Sequence, residues 1–164
     1  MSEFVAETLA RWLTAALAEI TEEGGYHQTL RVTRPEQAFI DGQPLNDLSA
    51  IVVQNACVAD SEPVIGNPPQ FFWRQTFEVH VLLAGAAGAA VPVDQRINRI
   101  VGDVIQRIGL ERVAGLAADV YCDGRAYDIV CGPPAIGVIP QEKLTEVSIP
   151  VEIAFTFNPN DVYG

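Results

Sequence analysis

Residues 71 to 109, FFWRQTFEVHVLLAGAAGAAVPVDQRINRIVGDVIQRIG, change hydrophobic period partway along. From 71 to 84 one face carries Phe71, Trp73, Phe77, Val79, Val81 and Leu83, and the other Arg74, Thr76, Glu78 and His80; Gln75 alone breaks the alternation. Period two predicts a long strand with one buried face. After AGAAGAAVP, whose side chains are too small to fold onto anything, Ile97, Ile100, Val101, Val104, Ile105 and Ile108 recur at helical spacing. This predicts a helix over 94–109, capped by Asp94 and closed by Gly109 in a left-handed conformation. Burying six such aliphatics stabilises by about 1.5 to 3 kcal/mol each before entropy, enough to dock the helix on the sheet.

The flanking chain supplies the remaining elements. Val5, Leu9, Trp12, Leu13, Ala16, Leu17 and Ile20 recur at three and four, predicting a first helix over 3–22 with Ser2 as cap and Gly24-Gly25 as stop. TLRVTR and SAIVVQNACVA read as strands, IDGQPLND as turns, and DSEPVIGNPPQ as an exposed loop or hairpin tip. Residues 117–131 read as a hairpin turning at Asp123-Gly124, and GPPAIGVIPQEK as a loop. LTEVSIPVEIAFTF puts Val147, Ile149, Val151, Ile153, Phe155 and Phe157 on one face against Glu146, Ser148, Glu152 and Thr156. Pro150 lacks a ladder donor and predicts an edge position or a bulge there. The expected fold is α+β: one domain over 1–164, a mostly antiparallel sheet with two main α-helices packed on one face, and a flexible tail from about residue 158.

With 164 residues the chain can bury a core without metal or disulfide staples. It is 49% hydrophobic and 19% charged, apolar enough to leave surface for subunit contacts. Twenty-one acidic against ten basic residues give a net charge of −11, which disfavours gripping nucleic acid through its phosphates. Three cysteines without CxxC spacing and a start lacking signal-peptide character make reducing cytoplasm the default compartment. No apolar run reaches the roughly 18 residues of a membrane span, so no membrane partner is expected.

The residues that could carry chemistry are few. Cys57, Cys122 or Cys131 with His27 or His80 would make a small hydrolase or transferase only through tertiary proximity; buried structural thiols are the bland alternative. Two well-separated histidines and scattered carboxylates give no metal spacing, and neither Gly-containing loop matches a phosphate cradle. No catalytic, metal or cofactor-binding residue is assigned, and no cofactor is expected.

Two sets of residues are candidates for contact instead. Arg99, Asp103 and Arg107 form an i, i+4, i+8 series that reads either as solvated ion pairing or as a subunit interface. The non-polar loops at 60–70 and 84–92, represented by Pro68, Pro69, Ala86, Ala87, Gly88, Ala89 and Ala90, are either loose connections or arms that order against a partner.

The order of an N-terminal helix, the strand FFWRQTFEVHVLLAG, the helix VDQRINRIVGDVIQRI and the last strand EVSIPVEIAFTFNPND resembles the tail terminator (tail completion) proteins of long-tailed bacteriophages, over most of residues 3 to 160. The resemblance implies a structural protein, not an enzyme. Its protomers form a ring, commonly six-fold, that caps the tail tube, stops its polymerisation and offers the surface on which the head docks. The implied partners are further copies of the chain, the tail tube protein and the head-tail connector or stopper protein, with DNA passing through the lumen without specific binding. The implied location is the virion tail or neck, assembled in the host cytoplasm. Another neck, connector or minor tail protein is the alternative within the same particle. Residues 34–50 are an elaboration that the resemblance does not account for.

Overall fold

A computed structural model describes residues 4–35, 47–64, 69–84, 91–118, 121–139 and 144–158. The elements run α1 (Val5–Ala18), β1 (Arg31–Thr33), β2 (Ser49–Val64), β3 (Gln70–Ala84), α2 (Val93–Ala118), β4 (Asp128–Cys131), β5 (Ala135–Ile139) and β6 (Leu144–Phe157). The fold is α+β. One mixed sheet has the order β1-β2-β3-β6-β4, and β5 also pairs with β6. Among the described strands only β1 and β2 are parallel; every other pairing there is antiparallel.

Period two in the two long strands explains the register. Val79 lies opposite Val52 on one side and Ile149 on the other, and Phe77 opposite Gln54 and Val151. Cross-strand neighbours share a face, so these rows build one apolar surface. Leu9, Leu13 and Leu17 of α1 and Ile97, Ile100, Val104 and Ile108 of α2 bury against it in a single core. An aromatic group closes one end: Phe4 meets Trp73 and Phe157 edge-on, and Trp73 meets Phe157 at 4.6 Å between centroids.

Gln75, the break in the alternation, is 1% exposed and points into the core. It faces the β-bulge that shifts register between Gln54 and Cys57. Its Nε2 donates to the Asn55 carbonyl at 2.6 Å and its Oε1 accepts from Gln54 Nε2 at 3.3 Å. A bulge withdraws backbone groups from the ladder, and the amide supplies a partner for one of them.

Several expectations change. The first helix starts at Val5, with Phe4 at the cap position and no side-chain cap bond, and it ends at Ala18 instead of running to the glycines. Ser2 lies outside the described residues. The second helix does not stop at Gly109 but continues nine residues to Ala118. Its Ile105 is exposed, because the chain after α1 covers the opposite flank and rotates the buried arc toward Asp103. The strand read as ending at Ala59 continues to Val64. Among the described residues of 117–131 there is no two-stranded hairpin: residues 117 and 118 are helical, and a turn closed by one isolated antiparallel bridge joins Tyr121 to Ala126. Within that turn Cys122, Asp123 and Gly124 all adopt positive φ, so Asp123-Gly124 does mark a reversal. The Pro/Gly loop contains β5.

Pro150 is neither at an edge nor in a bulge. β6 is central, yet its outer neighbours are interrupted between Cys131 and Ala135. The Pro150 carbonyl accepts from Gly132 N at 2.8 Å. In an antiparallel ladder one residue's N and C=O point the same way, so the missing donor falls at the gap. The proline ring also fills it, since a Cβ on Gly132 would lie 2.8 Å from Pro150 Cγ.

Candidate functional site

The groups with chemical potential are dispersed. His27 Nδ1 lies 2.8 Å from Asp103 Oδ1. His80 Nδ1 contacts Glu146, and its Nε2 lies 3.1 Å from Glu78. Neither imidazole is hydrogen-bonded to a thiol among the described residues. All three cysteines are free, and burial pushes the Cys57 and Cys122 thiols up and that of Cys131 up to about 11. A reactive thiolate needs the opposite shift. No group of three or more metal-binding side chains forms among the described residues, and no helix there is long and apolar enough to cross a membrane.

The thiols make a pH prediction. Cys131 ionises near 9.0 when unfolded and near 11 when folded, so between these values the unfolded state has lost a proton the native state keeps. Stability is therefore fully present below pH 9 and falls as pH rises toward 11. Urea midpoints should drop across that window, and less steeply in Cys131→Ser. Native Cys122 and Cys131 should resist alkylation at pH 7.5 and react on unfolding.

Asp103 is 1% exposed and serves the interior of its own protomer. It accepts from His27 N at 3.0 Å and Gln28 N at 3.2 Å, fastening the chain after α1 onto α2. Arg107 binds Glu19 at 3.0 Å and lies 3.8 Å from Glu111, while Arg99 is exposed and pairs with neither. The proposed ion-paired series does not form, because its middle member is committed to backbone donors across the fold; Asp103 has no free face for a neighbour. Of the loop candidates, Pro69 is half-buried just before β3, and Pro68, Ala86, Ala87, Gly88, Ala89 and Ala90 lie outside the described residues. Of residues 34–50, Asp47 accepts from Ala84 N at 2.8 Å and holds Arg96 at 2.5 Å, tying the start of β2 to α2.

Among the described residues three surfaces remain open. The first is the sheet face away from the helices, carrying Glu78, Glu146, Glu152, Asp60 and Asp128. Arg74 sits among them, donating to Asp60 at 2.8 Å with Glu152 at 3.5 Å. Tyr127 also donates to Asp60 at 2.5 Å. The Arg74 and Tyr127 hydrogen bonds hold the Asp60 carboxyl below its usual range, while burial, followed by the Asp60 bond, pushes Tyr127 up to about 12.

The second surface is a groove of about 650 Å³ between α1 and β2, bordered by Arg11, Ala15, Ala18, Arg34, Val53 and Gln54. The third is apolar and in two separate places: Leu110, Val113 and Leu116 on α2, and Ile136 and Val138 on β5. The sequence missed β5 as a surface because Pro133, Pro134 and Gly137 read as loop signals. Its β-branched Ile136 and Val138, alternating with small residues, were the available clue.

No protein-family model matches the chain, and no curated protein matches its sequence.

Proposed function

We propose that this protein is a structural protomer of a long-tailed bacteriophage, a tail terminator. It forms a six-fold ring that caps the tail tube, halts its growth and presents a docking surface to the head connector. The supporting observation is a protomer with a hydrophobic core whose sheet, among the described residues, has no strand paired along β2 past Ile51 on one side or along the outer side of β4 and β5 on the other. A closed ring needs two different, complementary patches on each copy, and opposite edges of one sheet are two different patches. The acidic uncovered face fits a lumen, where negative charge lets DNA pass without adhering. The dispersed histidines and protonated thiols support a structural role over a hydrolytic one.

Native mass spectrometry of the purified chain, alone and with tail tubes, should show a discrete hexamer. Particles lacking the protein should carry overlong tails in electron micrographs. Tails of normal length detached from heads would assign it to a neighbouring neck position, and a chain that stays monomeric with tubes present would overturn the ring.

A further inference from the structure

We propose that β5 of one copy adds as a strand to the free edge of β2 in a second copy, seating Ile136 and Val138 in the groove beside α1. This deepens the ring reading and rests on it for closure.

The acceptor is short and shaped. β1 covers β2 only from Ser49 to Ile51 and ends at Thr33, so from Val52 onward that side of β2 has no strand among the described residues. Register shifts between Gln54 and Cys57, and again between Ala59 and Val64, distort the edge farther along. Bulged edges reject continuous pairing, which leaves a regular stretch around Val52 to Gln54 that suits only a short strand. There the groove opens between Ala15 and Ala18 of α1 and Val53 and Gln54 of β2, with Arg34 and Pro35 just past the end of β1 at its border.

The donor matches it. β5 has five residues, and its outer side is unpaired among the described residues. Ile136 lies opposite Val147, a core residue, so Ile136 and Val138 occupy the helix-bearing face of the sheet. They are nevertheless 59% and 69% exposed. Placed beside β2 in the plane of a neighbour's sheet, these two side chains would enter the groove alongside α1. Ala135 and Gly137 would face the open side, where their size creates no clash.

Donor and acceptor sit on opposite edges of one sheet, so each copy uses both, head to tail. A groove mutant and a strand mutant should therefore complement each other once. The full-length chain and two variants, Ala15→Trp to fill the groove and Val138→Lys to spoil the strand, are compared by sedimentation and native mass spectrometry; both positions are solvent-exposed. Each variant alone should remain monomeric at concentrations at least tenfold above those at which the unmodified chain assembles. An equimolar mixture should give a heterodimer and nothing larger, since one intact strand and one intact groove remain. Amide exchange at Val52–Gln54 and Ala135–Ile139 should slow at least tenfold on assembly of the unmodified chain. If that chain forms rings and either variant still does, or the mixture yields no dimer, the strand addition is wrong and the ring survives. If the unmodified chain never assembles, both fall.

Discussion

Asp103→Ala should lower unfolding stability by about 3 kcal/mol, because it strips two backbone N–H groups, those of His27 and Gln28, of a buried charged acceptor. Such a loss is a large fraction of the 5 to 15 kcal/mol typical of a domain. Asp103→Asn keeps one acceptor oxygen and should cost about half as much. Arg99→Ala, four residues earlier on the same helix but exposed, should stay within about 0.5 kcal/mol. Urea unfolding followed through Trp12 and Trp73 fluorescence reads all three. Equal effects at 99 and 103 would mean that the chain after α1 is not anchored through this carboxylate.

Gly115→Ala should destabilise by about 2 to 3 kcal/mol, although alanine is the better helix former by about 1 kcal/mol. The Tyr121 ring lies on Gly115: an added Cβ would come within 2.8 Å of Cγ and nearer still to Cδ1 and Cε1. Tyr121 is itself buried and starts the left-handed turn before β4, so it has little room to retreat. Gly102 and Gly109 on the same helix meet nothing within 4 Å of an added Cβ. Alanine at either should stabilise by about 0.5 to 1 kcal/mol. In thermal melts Gly115→Ala should drop the midpoint by about 5 to 10 °C and the other two should raise it. A rise in all three would show that Tyr121 does not hold its position over the helix.

The contrast among these glycines explains what could be read in advance. Gly109 looked like a helix stop, yet the strong helix formers after it and the seat that Gly115 provides for Tyr121 carry α2 onward. The alternation of Val79 and Ile149 was legible because a strand's period is a local property. The partner of Asp103 was not, being 76 residues away along the chain. Gln75 announced an anomaly without saying what it served, since the bulge it satisfies is in another strand. β5 was misread for the same reason: its Pro/Gly-rich sequence becomes a strand only because β6 offers a ladder. The open surfaces were invisible for a further reason, since they are defined by what fails to cover them.

The position of β6 has a consequence for how the protein is made. β3 pairs with β2 through a near-neighbour hairpin, but its other side waits for residues 144–157, with Phe71 opposite Phe157. On a translating ribosome, both helices and the β2–β3 hairpin emerge before the strand that will join β3 to β4. Non-local pairing of this kind is slow, and the interval exposes Phe77, Val79 and Val81 to other nascent chains. Folding yield in the cell should thus depend on how quickly the last long strand is delivered, and pauses in translation just upstream of residue 144 should favour inclusion bodies.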